Sequence, residues 1–309
     1  MPAYRVERSI QIQKQPGELI DYLSDFQTWP KWSPWLIMEP DCKVTYHGTQ
    51  GQIGAGYHWE GVMVGEGKMT LLEKTDKFLL VDLEFIKPFK SLAKAGFSVT
   101  PSENGSLVTW TLDAKLPWFL FFMKSMMESQ LGMDYDRGLK MLKSLIETGD
   151  ILSQLDLVGS KEEELTHYVA LEGTANIEEL SKMIPDHYGK LHQYFIEKSI
   201  AGAGVPFTLY YDMDMKTSVC HVRNAFPVSE PVEVKPPFIC DSIPKSDTYQ
   251  VKHTGEYKFV GNAWAFAFFA ARHNKVKVKK SPVGFERYPN DPAETQPKDL
   301  ISEVVLFKK

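Results

Sequence analysis

The chain has 309 residues, of which 43% are hydrophobic and 24% are charged, values typical of a folded globular protein and not of a disordered or fibrous one. Since a domain usually holds about 100–200 residues, this length predicts two domains, each large enough to bury a core. The net charge of −5 argues against nucleic acid as a direct partner, because such binding usually needs a basic surface.

The cysteines and the apolar segments bear on cofactors and location. Cys42, Cys220 and Cys240 form no CxxC pair and have no histidine at ligand spacing. The most apolar segment, Leu116–Met123, is far shorter than the roughly 20 residues that span a bilayer. We therefore expect no disulfide framework, no metal, no cofactor and no membrane partner, and a cytoplasmic location.

The first half reads as one sheet followed by one helix. Val6–Gln13 alternates as a strand, and a short helix begins at Pro16. After an aromatic segment, six strands separated by turn residues follow: Lys43–Gly48, Gly56–Val62, Lys68–Lys74, Phe78–Phe85, Ala95–Thr100 and Leu107–Ala114. Because no helix separates them, they predict an antiparallel sheet. An amphipathic segment from Pro117 to Glu147 predicts a long helix that covers the sheet.

This layout resembles the START-like, or SRPBCC, helix-grip fold in its polyketide cyclase-like branch, over about residues 3–148. The motifs that carry the resemblance are Phe26-x-x-Trp29-Pro30-x-Trp32-x-Pro34-Trp35, Gly54-x-Gly56-x-x-Trp59, Gly65-x-Gly67, Val108-x-Trp110 and Gly138-Leu139-x-x-Leu142-Lys143. The resemblance implies a deep apolar cavity between sheet and helix. Trp32, Trp59, Phe85 and Trp110 are the expected lining, and ordinary core packing is the alternative.

Acid–base groups in this half do not form a catalytic motif. His47, His58 and Glu60 are suitable residue types for proton transfer. However, no His–acid–nucleophile set and no glycine-rich phosphate loop stands at motif spacing in the sequence. We therefore name no catalytic residue.

The segment Thr148–Lys161 reads as a connection with two glycines, and it predicts a boundary between domains of residues 1–150 and 160–309. The second domain then begins with the strand His167–Glu172. Asn176 is expected to cap the next helix, with Glu179 at capping-box spacing. Pro185 is expected to restart or kink that helix.

The second domain shows a weak internal duplication. The helix is expected to end at Gly202 and Gly204, before the strand pair Phe207–Asp212 and Thr217–Phe226. The same order of strand, helix and two strands recurs in Thr248–Phe307. We therefore predict an α+β chain whose second domain contains two β-α-β-β repeats that face each other across a groove.

The segment Tyr249–Pro292 and the strand after it resemble the GyrI-like (AraC-type effector-binding) domain. The motifs are His253-x-Gly255-x-Tyr257, Trp264 on the following helix, Phe285-Glu286-x-Tyr288 with Asn290-Asp291-Pro292, and Ile301-Ser302-Glu303-Val304. The resemblance implies a groove in which a carboxylate among aromatic walls meets cationic, lipophilic ligands, as in multidrug binding.

The residue that matches the carboxylate of that family is Glu286, and Glu303 is the second candidate. A lone carboxylate in an apolar groove has a raised pKa unless a cation or hydrogen-bond donors compensate for burial. The alternative is that Glu286 points to solvent. The expected aromatic walls are Tyr257, Trp264, Tyr211 and Tyr288, which would add cation–π attraction.

Three function classes remain open. The leading hypothesis is an intracellular small-molecule binding protein that senses or sequesters hydrophobic, cationic or aromatic compounds. DNA-binding transcription regulators that resemble the second domain carry a helix-turn-helix before it, and here a START-like domain takes that place. The alternative is a hydrolase or cyclase that acts on a reactive hydrophobic natural product with a pocket glutamate. The third class is a module that holds a protein partner.

Overall fold

The computed structural model describes residues 3–115, 118–214 and 219–309. Contacts divide the chain into two units, Met1–Ile151 and Leu152–Lys309. Within the described ranges no helix is both long enough and apolar enough to cross a membrane. Each unit has an antiparallel sheet with helices packed on it, which confirms the predicted α+β class.

The first unit contains a seven-stranded sheet. Its strands are β1 (Ala3–Ile12), β2 (Lys43–His47), β3 (Gly56–Glu60), β4 (Glu66–Lys74), β5 (Phe78–Lys87), β6 (Ser91–Ser102) and β7 (Gly105–Lys115). They lie in the order β1-β7-β6-β5-β4-β3-β2, and all neighbours are antiparallel. The six strands expected after the aromatic segment are all present, each within four residues of its expected ends.

Two α-helices grip this sheet. Helix α1 (Pro16–Ser24) is followed by short 3-10 turns at Phe26–Lys31 and Leu36–Met38, and helix α2 (Lys124–Thr148) follows a 3-10 segment at Trp118–Met123. Helix α2 runs along β1: Arg8 pairs with Asp136 at 3.0 Å, and the Glu147 carboxylate accepts a hydrogen bond from the backbone N–H of Gln13 at 2.8 Å. The expected long helix is confirmed from residue 124 on, whereas Leu116 and Pro117 lie outside the described residues.

The second unit contains an eight-stranded sheet. Its strands are β8 (Ser153–Glu163), β9 (Thr166–Asn176), β10 (Phe207–Asp214), β11 (Val219–Val228), β12 (Phe238–Ile243), β13 (Ser246–Gly255), β14 (Gly284–Arg287) and β15 (Ile301–Phe307). The helices are α3 (Ile177–Lys198) and α4 (Gly261–His273), with 3-10 turns at Tyr257–Phe259 and Pro297–Asp299. The strand order is β12-β9-β11-β10-β14-β15-β13-β8.

This strand order contains the two predicted repeats. The first repeat is β9-α3-β10-β11 and the second is β13-α4-β14-β15. They join at the centre of the sheet, where β10 pairs with β14 and Thr208 lies opposite Glu286. Strands β8 and β12 form the two edges. Asn176 caps α3 in a complete capping box with Glu179, as its spacing predicts.

Parts of the second unit differ from the expectation. Thr148–Lys161 is not only a connection, because it contains most of β8, which pairs with β13. Val158 is an extra residue in this ladder, next to Gly159 at φ 86°. An irregular, half-exposed edge strand shows no clean alternation, so its sequence reads as a linker.

The boundaries around α3 also differ. Ser199, in the left-handed conformation at φ 52°, ends the helix before Gly202 and Gly204. Pro185 lies inside α3, which is assigned as one helix throughout. In the strand expected at Thr217–Phe226, the structure describes β11 from Val219 on, and residues 217 and 218 lie outside the described ranges.

Candidate functional site

Glu286 is a buried carboxylic acid on the central strand β14, with only 4% of its surface exposed. Successive residues of a strand point to opposite faces of a sheet. Phe285 packs into the cluster formed by Phe207 and Leu209 on one face. Glu286 therefore points to the other face, where it meets Trp264 of helix α4.

Three aromatic side chains donate hydrogen bonds to this carboxyl group. The Tyr288 hydroxyl donates to Oε2 at 2.6 Å, and the Trp264 indole Nε1 donates to Oε1. Tyr210 forms a further side-chain hydrogen bond to it. Burial raises the pKa of Glu286 above its ordinary value, and the three hydrogen bonds, which favour the ionised form, offset only part of that shift.

Aromatic rings surround the acid. Tyr210 meets Trp264 with ring centroids 4.9 Å apart, Tyr257 meets Tyr288 at 5.5 Å, and Tyr188 of α3 meets Tyr288 at 6.0 Å. The hydroxyl of Tyr257 is buried and has no hydrogen-bond partner among the described residues. We call this set, with Glu286 and Thr208, the Glu286 site.

Polar contacts beneath the rings join Thr208 to side chains of its own repeat and to Tyr288 of the other. Thr208 donates to the Asn224 amide oxygen at 2.8 Å, and its hydroxyl lies 3.0 Å from the Tyr188 hydroxyl and 3.4 Å from that of Tyr288. The Asn224 amide nitrogen lies 3.0 Å from His187 Nδ1. Burial lowers the pKa of His187, which favours the neutral ring.

The structure does not bring Tyr211 into the Glu286 site, so the expectation that it forms a wall is wrong. Tyr211 packs with the opposite face of the sheet, where its hydroxyl accepts a 2.7 Å hydrogen bond from Arg223 and lies 3.4 Å from that of Tyr168. Strand alternation explains this placement, because Tyr211 shares its parity with Phe207 and Leu209.

Glu303, the second candidate acid, also lies outside this site. It accepts a hydrogen bond from Arg287 Nε at 2.9 Å, and Arg287 binds Glu163 as well, at 2.7 Å. Arg287 lies over the ring of Phe285, on the sheet face opposite Glu286. Glu286 is therefore a buried acid among aromatic rings, whereas Glu303 is a partly exposed acid in an ion-pair network.

Three members of the site were not identified from the sequence: Tyr210, Tyr188 and Thr208. Alternation from Phe207 and Leu209 is the signal that assigns Tyr210 and Thr208 to the face of Glu286. Tyr188 carries no such signal, because its position on α3 meets the site only once the helix packs on the sheet.

The tryptophans of the first unit form a packed aromatic core. Trp32 and Trp110 are fully buried with ring centroids 5.6 Å apart, and Trp110 stacks on Tyr135 of α2 at 3.8 Å. Trp59 meets Phe85 at 6.0 Å, and Tyr57 links it to the same core, with its ring 5.9 Å from that of Trp59 and 6.4 Å from that of Trp29. The indole N–H groups of Trp32 and Trp110 are buried without a partner among the described residues. Of the four residues expected to line a cavity, Trp32 and Trp110 thus have buried N–H groups that could donate a hydrogen bond.

Of the acid–base candidates in this unit, His47 has its Nε2 atom 3.3 Å from the Thr70 hydroxyl. His58 and Glu60 lie on the outer side of the sheet with Glu66, and their ligand atoms fall within 4.8 Å of one another. Lysines already bind both carboxylates, Lys43 at Glu60 and Lys87 at Glu66. The cluster is a network of surface ion pairs.

Comparison with protein families matches the two halves of the chain separately. Residues 3–147 match the model for polyketide cyclase / dehydrase and lipid transport proteins. Residues 161–306 match the model for the GyrI-like small molecule binding domain. The predicted order of the two domains is confirmed, and both matches support ligand binding. No curated protein sequence matches the chain.

Comparison with solved structures finds relatives of low sequence identity. A complex of EcmrR with DNA is 19% identical over 60% of this chain and 66% of that chain, with a TM-score of 0.42. The EcmrR C-terminal domain is 20% identical over 52% of this chain and 99% of its own, also with a TM-score of 0.42. Protein MLL2253 from Mesorhizobium loti is 16% identical over 48% and 99%, with a TM-score of 0.37.

Proposed function

We propose that this tandem of a polyketide cyclase-like domain and a GyrI-like domain is a binding protein that senses or sequesters cationic, lipophilic aromatic compounds. One observation carries the proposal. Glu286 is an almost fully buried acid among aromatic rings, and the described residues provide no cationic partner for it. A ligand can supply that missing charge.

The energetics favour a cation with an aromatic or apolar body. Ionisation of a buried acid is unfavourable until a positive charge approaches, so a cationic ligand gains more at this site than a neutral one. The faces of Trp264, Tyr210, Tyr257 and Tyr288 would each add a cation–π attraction of roughly 0.5–2 kcal/mol where a ring faces the charge. An apolar body gains from burial against the same rings.

The test compares two dyes of the same shape, one cationic and one neutral, by titration calorimetry. Glu286→Gln keeps the size of the side chain and removes its charge. We expect the variant to lose more than about 1 kcal/mol of affinity for the cationic dye, the upper range for an exposed ion pair. Affinity for the neutral dye should remain nearly unchanged.

Glu303→Gln is the matched control, since it removes the same charge from the ion-pair network on the opposite face. It should leave both affinities at the wild-type level. If Glu286→Gln lowered the affinity for both dyes equally, or if Glu303→Gln lowered the affinity for the cationic dye more, Glu286 would not be the residue that recognises the charge.

A second candidate function is hydrolysis of a reactive hydrophobic compound. It is favoured by the buried hydroxyl of Tyr257, which has no hydrogen-bond partner in the part of the chain that the structure describes. The Tyr257 ring lies 5.5 Å from that of Tyr288, beside an acid of raised pKa. In its protonated form this carboxyl would serve as a general acid. Mass spectrometry of electrophilic compounds incubated with the protein separates the two functions, because only an enzyme converts them with turnover.

A further inference from the structure

A chain of hydrogen bonds runs from the surface of helix α3 to the Glu286 site. It begins at His187, a partly exposed histidine, and passes through the fully buried side chains of Asn224 on β11 and Thr208 on β10. The His187 Nδ1 atom lies 3.0 Å from the Asn224 amide nitrogen, and Thr208 donates to the Asn224 amide oxygen at 2.8 Å. The last link is the 3.0 Å contact between the hydroxyls of Thr208 and Tyr188.

Each link of this chain has one direction. An amide nitrogen is only a donor, so His187 Nδ1 is the acceptor and the neutral ring carries its proton on Nε2. The Thr208 hydroxyl gives its single proton to Asn224, so it can only accept from Tyr188. The Tyr188 hydroxyl therefore donates to Thr208, and its oxygen keeps only lone pairs for any other contact.

The other hydrogen-bond donors around the acid are also used. Three aromatic side chains donate to the carboxyl group: Tyr210, Trp264 and Tyr288. Burial raises the pKa of Tyr188, and the negative charge of Glu286 raises it as well, so this hydroxyl lies within reach of the same carboxylate. The site thus presents a carboxylate and the Tyr188 oxygen as acceptors. The Tyr257 hydroxyl, which has no partner among the described residues, can act as donor or acceptor.

Several groups keep His187 in its role as acceptor. Gly173 of β9 lies against the ring, and a Cβ atom at this glycine would lie 3.0 Å from Cε1 of the histidine. Burial lowers the pKa of His187; Lys190 lowers it further, while Asp186 and a hydrogen bond with the backbone of Leu171 raise it. The ring is therefore neutral at neutral pH, and its Nδ1 atom can accept.

The charged side chains of the neighbouring strands lie on the other face of the sheet. Glu172 of β9 and Arg223 of β11 form an ion pair at 2.7 Å, and Arg223 also donates to the Tyr211 hydroxyl. His221 lies 3.3 Å from Glu172. The charges that act on His187 from nearby are thus those of its own helix.

Protonation of His187 reverses the chain. With a proton on Nδ1 the ring is a donor, so the Asn224 amide turns its oxygen toward the ring. The amide nitrogen then donates to Thr208, whose own proton goes to Tyr188. The Tyr188 hydroxyl in turn presents its proton, instead of a lone pair, to a ligand in the site.

We propose that this chain makes the Glu286 site selective for cations that carry N–H groups, such as protonated amines, over quaternary ammonium ions, with His187 as the positioning residue. The proposal rests on the cation-binding function proposed above. A buried ammonium N–H needs an acceptor, and the Tyr188 oxygen supplies one beside the carboxylate. A quaternary ammonium ion has no N–H to satisfy, and it gains from the carboxylate and the rings in either direction of the chain.

The test compares a dye that bears a primary ammonium group with its N-trimethylated analogue, by titration calorimetry. Both dyes stay cationic between about pH 5 and 8. Their affinity ratio therefore removes the change in affinity that titration of Glu286 causes for both. In the wild type the preference for the primary ammonium should fall by about three- to tenfold as pH drops below roughly 6.5 and His187 becomes protonated.

Variants separate the hydrogen-bond chain from other effects of pH. His187→Asn places an acceptor beside Asn224 that does not titrate, so the preference should stay constant across pH. Thr208→Val interrupts the chain while His187 still titrates, so the preference should be low at every pH. His192→Asn alters an exposed histidine of the same helix and should retain the wild-type profile. Circular dichroism checks that each variant is folded.

A second measurement needs no variant. Nitrogen NMR of the wild type with labelled histidine should show neutral His187 protonated on Nε2, and protonation on Nδ1 would overturn the proposal. So would a wild-type preference that is constant with pH, or one that still changes with pH in folded Thr208→Val. If Glu286→Gln left the affinity for both dyes unchanged, the proposed function itself would fail. A constant ratio of two affinities that both depend on Glu286 would overturn the proposed selectivity alone.

Discussion

Tyr288 donates a hydrogen bond from its hydroxyl to the Glu286 carboxylate at 2.6 Å, whereas the neighbouring Tyr257, with its ring 5.5 Å from that of Tyr288, has a buried hydroxyl with no partner among the described residues. Two neighbouring tyrosines of one site therefore differ in their effect on the acid. Because Tyr288 favours the ionised carboxylate, its loss should raise the pKa of Glu286 further.

The first prediction compares the phenylalanine variants of these tyrosines. Tyr288→Phe should move the pH at which a cationic dye gains affinity upward by about one to two units, given about 1.5–3 kcal/mol for a hydrogen bond to a charged group. Tyr257→Phe should leave that midpoint in place. Dye affinity measured across pH is the readout, and equal midpoints in the two variants would contradict the assigned hydrogen bond.

The second prediction concerns stability and Glu286. Its folded pKa is raised, so the folded state binds this proton more tightly than the unfolded chain does. This tighter proton binding stabilises the folded state fully at pH values below the ordinary carboxyl pKa. The stabilisation is lost as pH rises through the raised pKa of the folded state. Because glutamine does not titrate, Glu286→Gln does not lose this stability, and its free energy of unfolding relative to wild type should increase as pH rises. Urea denaturation at several pH values measures the difference, and a difference that stays constant would show that Glu286 titrates normally.

The third prediction concerns His253 on strand β13. Its Nε2 lies 3.0 Å from the Ser153 hydroxyl, its Nδ1 has no partner in the described chain, and burial lowers its pKa to about 4. The unfolded chain binds the proton near pH 6.5, so stability should fall as pH drops from there to about 4, by up to about 3 kcal/mol.

His253→Gln should reduce this acid sensitivity. His192→Gln, which alters an exposed histidine of the same unit, should retain it. Thermal melts between roughly pH 4 and 7, the titration range of histidine, give the comparison. Parallel pH profiles for wild type and His253→Gln would assign the acid sensitivity to other groups.

The fourth prediction concerns independent folding. Fragments of residues 1–151 and 152–309 should each melt cooperatively, since each contains a complete sheet. A fragment of residues 160–309 should be less stable than 152–309, because it lacks most of β8 and the Ser153 partner of His253. Equal stability of these two fragments would mean that β8 adds nothing to the second unit.

Structural features that depend on residues close together in the sequence can be predicted from it, and features that depend on distant residues cannot. The strands of the first unit follow from alternation and turn residues, and the cap of α3 follows from Asn176 and Glu179. Its motif makes Glu286 a candidate site residue, but its hydrogen bonds from Trp264 and Tyr210 depend on how distant segments pack. No local pattern reveals them.

The errors have the same origin. Two adjacent tyrosines, Tyr210 and Tyr211, point to opposite faces of one strand, and the choice between them requires the parity of the whole strand. Glu303 lies in a largely apolar strand, next to Val304, yet its partner Arg287 comes from the neighbouring strand. Strand β8 owes its existence to its pairing with β13, almost a hundred residues later in the sequence.

The opposition of Thr208 and Glu286 across the β10–β14 seam has a consequence for how such a duplicated domain diverges. Thr208 follows Phe207 as Glu286 follows Phe285, so the two residues occupy corresponding places in the two copies. A carboxylate in both places would set two negative charges against each other in one apolar site, and one of them would stay protonated. A charged side chain at this place in one copy therefore requires a neutral side chain at the same place in the other. The proposed recognition of a ligand's charge depends on this difference between the two copies.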